Sequence, residues 1–217
     1  MYKTVVFDLD GTLLNTLTDL ADAGNRLCWK YGWPTHERQT YRYFVGNGIP
    51  KLVERLAPAD QRTPAVLEAA LADFKRDYGQ HLRDTTAPYP GIPEMLAKLK
   101  ANGVQLAVFS NKADALAKEV VKDYFGTQYF TIVRGQMTGV APKPAAEGTN
   151  ALLQALHADP ASTLYVGDSN VDVETAHNAN LPCCGAVWGF RTREELNAAG
   201  AEYLAENSDE LYDVIMK

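Results

Sequence analysis

The sequence predicts an α/β fold: a parallel sheet with helices on both faces, interrupted after its first strand by a helical insertion. Three observations predict it. From Tyr89 onward, short apolar runs alternate with segments of helical period, the pattern of parallel strands joined by right-handed crossovers. From Leu17 to Leu82, apolar residues recur at helical spacing and no strand-like run interrupts them. The polar residues best suited to chemistry follow directly on the apolar runs, and in parallel sheets sites assemble outside the carboxyl ends of the strands.

The elements follow in order. Val5-Val6-Phe7 reads as a buried strand that stops at Asp8-Leu9-Asp10-Gly11-Thr12. In extended chain alternate side chains share a face, so Asp8 and Asp10 can point the same way while Leu9 points into the core. Two like charges there are costly unless something positive holds them. A divalent cation suits such an oxygen-rich pair, and an ordinary Asp-Gly turn is the alternative. Leu17, Leu20, Ala21, Leu27, Cys28 and Tyr31 form one helical face, with Gly32 placed to end the helix. Residues 35–57 read as two short helices around Val45-Gly46-Asn47-Gly48. Thr63-Pro64 opens a further helix whose apolar stripe is Val66, Leu67, Ala70, Leu71, Phe74 and Tyr78. Pro90-Gly91-Ile92-Pro93 then opens a helix that ends at Gly103. Strands are expected at 104–109, 130–133, 163–166 and 184–188, and helices at 113–124, 145–157, 170–179, 193–199 and 208–216. The expected division is a catalytic core of residues 1–15 and 84–217 and a helical cap domain of residues 16–83.

Composition narrows the function classes. A chain of 217 residues can bury a good core together with a sizeable insertion. Its net charge of -6, with no basic tract, argues against nucleic acid as a partner. An anionic substrate would have to be drawn by a local site. No apolar run approaches the ~20 residues that span a bilayer, so no membrane partner is expected. The N-terminus lacks the basic, apolar and small-residue pattern of a secretory signal. Cys28, Cys183 and Cys184 lack metal-ligand spacing and read as reduced, small hydrophobes. A cytoplasmic location is the expectation.

Four segments carry the chemistry: Asp8-Leu9-Asp10-Gly11-Thr12; Ser110-Asn111-Lys112 after the strand 104–109; Lys143 in Ala141-Pro142-Lys143-Pro144; and Gly167-Asp168-Ser169-Asn170-Val171-Asp172 after the strand 163–166. In this order and spacing they resemble the motifs of the haloacid dehalogenase superfamily of phosphohydrolases, and the resemblance covers essentially the whole chain. It implies a Rossmann-like three-layer core. It further implies a magnesium-dependent phosphatase that works through an aspartyl-phosphate.

The resemblance assigns the roles. Asp8 is implied as the nucleophile, and a carboxylate can act so if its charge is kept from repelling the incoming phosphate. Mg2+ would do this, held by the Asp8 and Asp168 carboxylates and the Asp10 main-chain carbonyl. The Asp10 side chain is implied to protonate the leaving alcohol and then deprotonate the attacking water. Ser110 and Asn111 would hold the phosphoryl group through the Ser hydroxyl and a backbone N–H, and Lys143 would pair with Asp8 and the phosphate. Asp172 could be an outer-shell magnesium ligand or hold Lys143 in place; as a plain alternative it is a first-turn Asp favoured by the helix dipole. Thr12 and Lys112 read as supporting residues, with a helix-entry Thr and a solvated Lys as the alternatives. Asn15 stands where relatives often have Asp; it reads as a turn residue with no catalytic role.

Val45-Gly46-Asn47-Gly48, with Leu52-Val53-Glu54-Arg55, resembles the cap segment of phosphoglycolate phosphatases, as do Pro90-Gly91 and Trp188-Gly189-Phe190. This implies that Gly46 and Asn47 contact the substrate; read alone, Gly-Asn-Gly is a tight turn. Arg42, Lys51 and Arg55 could meet a substrate carboxylate, or be ordinary charged helix surface. His177 reads as a helix-face residue. The expected partner is a small anionic phosphorylated metabolite, phosphoglycolate by resemblance, with the protein a monomer or homodimer. The alternatives are a phosphomutase, pyrophosphatase or sugar phosphatase of the same fold, or a non-catalytic phosphate-binding regulator. Dehalogenation is disfavoured because it has no use for Asp10 or a metal.

Overall fold

The computed structural model describes residues 1–217. It divides into two compact units, Met1–Leu14 with Pro88–Lys217, and Asn15–Ala87. In chain order the elements are β1 (Thr4–Phe7), β2 (Leu14–Asn15), α1 (Leu17–Tyr31), α2 (Arg38–Phe44), α3 (Ile49–Leu56), α4 (Pro64–His81) and β3 (Ala87–Pro88). There follow α5 (Ile92–Ala101), β4 (Gln105–Ala113), α6 (Asp114–Phe125), β5 (Phe130–Gln136), α7 (Ala146–Leu156) and β6 (Thr163–Gly167). The chain closes with α8 (Asn170–Asn178), β7 (Cys183–Ala186), α9 (Arg193–Ala199), β8 (Tyr203–Ala205) and α10 (Ser208–Met216).

The first unit is built on a six-stranded parallel sheet in the order β5-β4-β1-β6-β7-β8, an α/β fold of the expected class. β1 lies inside the sheet, with Phe7 level with Val108 of β4 and Val166 of β6. That register decides where the chemistry sits. Asp8 follows Phe7 by one residue, while Ser110 and Asp168 follow Val108 and Val166 by two. All three therefore emerge at one carboxyl edge.

Alternation fixes the faces. Val6, Ala107, Phe109, Tyr165 and Cys183 point to one side, where Leu152, Leu153 and Leu156 of α7, Val173 and Ala176 of α8 and Leu196 of α9 cover them. Phe7 points to the other, where it meets Phe130 edge to face, and Phe130 meets Phe125 of α6 in the same way. Cys183 and Cys184 are fully buried and unpaired.

Four features depart from the expected elements. β8 is an additional edge strand of three residues, with Tyr203 exposed, too short to register as an apolar run. β4 continues through a register shift to Ala113, so Ser110, Asn111 and Lys112 belong to the strand. β7 ends at Ala186; the Val187 N–H still donates to Ala205 of β8, and Val187 and Trp188 begin a turn. Two short strands, β2 and β3, also pair where the chain leaves and re-enters the first unit.

The second unit is helical. Its centre is formed by Leu20, Leu27, Cys28, Tyr41, Leu52, Val53, Leu56, Ala70, Phe74 and Tyr78, all buried, the faces that helical spacing predicts. Two polar groups on buried aromatic side chains find partners: the Tyr41 hydroxyl donates to Asn25 Oδ1 at 2.9 Å and the Trp33 indole to Gln61 Oε1 at 2.7 Å. The ends of the unit are tied by Asp19. Its carboxylate accepts from the main-chain N–H and the hydroxyl of both Thr85 and Thr86, at 2.5–2.9 Å. No helix is long and apolar enough to cross a membrane.

Candidate active site

After β1 the main chain wraps the carbonyl of Leu9, which accepts from the N–H groups of Thr12, Leu13 and Leu14 at 3.0–3.3 Å. This tight turn keeps Asp8, Asp10 and Thr12 at the sheet edge. There Asp8, Asp168 and Asp172 come together: one carboxylate oxygen from each lies within 4.8 Å of the others, and all three residues are buried.

Lys143 supplies the counter-charge. Its Nζ donates to Asp8 Oδ1 and to Asp172 Oδ1, each at 2.7 Å, and lies 3.3 Å from the Tyr165 hydroxyl. Its main chain is held by Asn111, whose side-chain oxygen accepts from Lys143 N at 2.8 Å while its amide donates to Lys143 O at 3.2 Å. Asp172 Oδ2 accepts from the Ser169 N–H and hydroxyl, a capping box that starts α8. Asp172 thus bonds Lys143 through one oxygen and caps its own helix through the other.

Asp168 is held on both oxygens. Thr12 Oγ1 donates to Oδ1 at 2.9 Å, and the Phe190 N–H donates to Oδ2 at 2.7 Å. The main chain presses on it from two sides. A Cβ on Gly11 would lie 2.4 Å from Asp168 Oδ2, and one on Gly189 would lie 2.2 Å from Asp168 Cβ; only glycine permits this approach. The Asp10 side chain turns to Lys112, whose Nζ donates to its two oxygens at 2.9 and 3.3 Å. Ser110 and Asn111 are buried beside these residues, and Ser110 Oγ accepts from Lys112 N at 3.2 Å.

Three buried acids face one buried lysine, and their ionisation reflects it. Burial pushes the Asp8 carboxyl up to about 7; Lys143 opposes that rise, and the neighbouring Asp172 adds to it. Asp168 stands well above the usual carboxylate range, through burial first and then the charges of Asp172 and Asp8. Burial works against the Lys143 ammonium, yet Asp172 and Asp8 hold its pKa well above the ordinary lysine value. A compact set of hard oxygen donors carrying excess negative charge, with no His or Cys among them, fits a hard divalent cation.

The structure places Asp8, Asp168, Asp172 and Lys143 in one cluster, with Thr12 bonded to Asp168 and Asn111 to Lys143; Ser110 and Asp10 are instead bonded to Lys112. The Asp10 carboxylate is not among the clustered acids; the metal ligand assigned to that residue is its main-chain carbonyl. Gly46 and Asn47 belong to the helical unit, on the loop between α2 and α3. There Asn47 Oδ1 accepts from Arg55 Nη2 at 2.9 Å, while Arg55 Nη1 donates to the Phe44 carbonyl. Arg55 is thereby committed to the loop, and Lys51 pairs with Glu54 at the surface. Asn15, expected in a turn, is instead the exposed second residue of β2, where its side chain accepts from Leu17 N because the strand ends directly before α1. His177 pairs with Glu202 on the outside of α8.

Lys112 is not a solvated lysine: its side chain is 2% exposed. The strand continues through it, and the charge it meets comes from a loop 102 residues earlier. Tyr165 and the N–H of Phe190 are members of the site that the sequence reading missed. Tyr165 looks like one more apolar position of a buried strand, and a backbone donor leaves no mark in sequence.

Comparison with known proteins agrees with this geometry. The family model for haloacid dehalogenase-like hydrolases matches residues 5–186. A phosphoglycolate phosphatase of Chromobacterium violaceum is 31% identical over 216 residues, covering 98% of this chain and 96% of its own. One of Thiobacillus denitrificans is 31% identical over 191 residues, 87% of this chain and 84% of its own. A solved structure from Lactobacillus delbrueckii subsp. bulgaricus, provisionally named for the same activity, superposes with a TM-score of 0.93. It is 28% identical and covers 99% of this chain and 98% of its own. The match runs from the first strand through the last of the four motif segments, and the motif residues meet at one sheet edge. The chain belongs to the haloacid dehalogenase-like hydrolase family.

Proposed function

We propose that this hydrolase is a magnesium-dependent phosphatase that releases phosphate from a small phosphorylated metabolite, phosphoglycolate in the first instance, through an aspartyl-phosphate on Asp8. The observation that carries the reading is the buried Asp8 carboxylate, bonded to Lys143 at 2.7 Å and clustered with Asp168 and Asp172. Both curated relatives described above are phosphoglycolate phosphatases, which supports the reaction class and the first substrate to test.

In this reading Asp8 and Asp168, with the Asp10 carbonyl, hold Mg2+, which when bound offsets negative charge on the carboxylates and the transferring phosphoryl oxygens. Asp8 Oδ attacks phosphorus, the bond from phosphorus to the leaving oxygen breaks, and Asp10 gives that oxygen its proton. Asp10 then takes a proton from water as the water attacks the phosphoryl group, which frees phosphate and restores the Asp8 carboxylate. Lys112 keeps the Asp10 side chain in place between the two proton transfers. Lys143 stabilises the charge that builds on the phosphoryl oxygens, and Asn111 and Asp172 fix where its ammonium stands. Ser110 and a backbone N–H at Asn111 hold the phosphoryl group. Gly46 and Asn47 take part in choosing the leaving group.

A panel of small phosphorylated metabolites, assayed by phosphate release with Mg2+, tests this alongside Asp8→Asn. Phosphoglycolate is expected among the best substrates, and Asp8→Asn is expected to abolish turnover on all of them. Normal turnover by Asp8→Asn would rule out the mechanism. A poor rank for phosphoglycolate would rule out the substrate and leave the reaction class standing.

A further inference from the structure

The segment Trp188-Gly189-Phe190 lies outside the four motif segments, and the proposed chemistry gives it no role. It nevertheless reaches the acid cluster by three contacts within the first unit. The Phe190 N–H donates to Asp168 Oδ2 at 2.7 Å. The Trp188 indole Nε1–H donates to the main-chain carbonyl of Thr12 at 3.0 Å. Gly189 lies between them, so close that an added Cβ would stand 2.2 Å from Asp168 Cβ and 2.6 Å from the Gly11 carbonyl oxygen. Thr12 is the other donor to Asp168, through its hydroxyl at 2.9 Å. The half-buried Trp188 ring is in turn steadied by Tyr89, 6.4 Å away between centroids.

We infer that Trp188 is a positioning residue for the cation site: by fixing the Thr12 main chain it sets the hydroxyl that, with the Phe190 N–H, orients the Asp168 carboxylate. This rests on the proposed reading of Asp168 as a Mg2+ ligand. The physical reason is that a carboxylate on one rotatable bond can present its oxygens in many directions, and donors on both oxygens restrict it to one. The Trp188 indole N–H bonds the Thr12 carbonyl and not Asp168, so what that bond contributes passes through Thr12. That makes the inference specific: removing the indole N–H matters only while the Thr12 hydroxyl is present.

The test is calorimetric titration of the full-length protein with MgCl2, for wild type, Trp188→Phe, Thr12→Val and the double variant, each first shown to be folded at the titration temperature. Thr12→Val is expected to weaken Mg2+ binding about tenfold and Trp188→Phe about fivefold, the loss of one neutral hydrogen bond. The double variant is expected within about twofold of Thr12→Val alone, because the two act in series. A Trp188→Phe affinity within about twofold of wild type would overturn the inference, as would losses that multiply in the double variant. Should Trp188→Phe not fold, the wild-type Trp188 indole N–H resonance is the readout. It is expected to move as Mg2+ is added, and no movement at saturation would overturn the inference. Wild type that takes up no Mg2+ would instead remove the cation reading itself.

Discussion

Asp19→Ala opens the clasp that joins the two ends of the helical unit. Asp19 is 2% exposed in the first turn of α1, and its carboxylate accepts four hydrogen bonds from residues 66 and 67 positions later. The four are not equal. Thr85 is exposed, so in the variant its two donors turn to water and their loss costs little, about 0.5–1 kcal/mol together. Thr86 is only 6% exposed, so water replaces the carboxylate poorly at its N–H and hydroxyl, and the loss is larger, about 1–3 kcal/mol each. Part of this is returned because the variant no longer buries a carboxylate. The net expectation is a loss of about 2–4 kcal/mol from the helical unit. Urea unfolding followed by hydrogen exchange at the Thr86 and first-turn α1 amides measures it, since exchange isolates the unit where global unfolding need not be two-state. Asp19→Asn should fall between, because an amide offers one acceptor oxygen where the carboxylate offers two. A loss below about 1 kcal/mol for Asp19→Ala, or an equal loss for Thr85→Val and Thr86→Val, would refute this reasoning from exposure.

Two further expectations concern the acid cluster. Lys143→Met leaves Asp8 and Asp172 facing each other uncompensated, so turnover should fall by about 10²–10³ or more in a Mg2+-dependent p-nitrophenyl phosphate assay. Turnover within tenfold of wild type would mean that the lysine's charge is not used. The second expectation is pH-dependent. Asp8 is raised to about 7 in the metal-free fold, above its unfolded value, so the fold binds its proton more tightly than the unfolded chain does. Metal-free stability from this group is therefore fully present below its unfolded value and is lost as pH rises from there through about 7. Because Mg2+ needs the deprotonated carboxylates, the increase in Tm on adding excess Mg2+ should be larger at pH 8 than at pH 6. An equal or reversed increase, measured by thermal unfolding, would contradict it.

What could be read in advance was whatever is encoded locally. Val5-Val6-Phe7 and Leu164-Tyr165-Val166 are apolar enough to announce buried strands, and the helical faces of α1 and α4 show in their spacing. The acids and the lysine of the site could be named because each follows a recognisable run. Partner choice across the chain was hidden. Lys112 looks like any loop lysine until β4 proves to continue past a register shift and carry it inward to Asp10. Asp19 looks like a first-turn Asp placed for the helix dipole, and nothing near it shows that Thr85 and Thr86 return to it. Arg55 looks like helix surface, yet it braces the loop holding Asn47. β8 escaped because three residues at a sheet edge carry too little apolar signal.

The close fit of Gly11 and Gly189 around Asp168 has a consequence for how this molecule can change. Neither glycine carries a functional group, yet any side chain at either position would have to displace the carboxylate or the main chain beside it. In a saturation scan both should be as intolerant as Asp168 itself and would be mistaken for residues with chemistry of their own. For laboratory evolution these positions are closed, so a library meant to alter substrate preference gains nothing from them. New variation there can arise only after the loops following β1 and β7 have moved apart, a change no single substitution supplies.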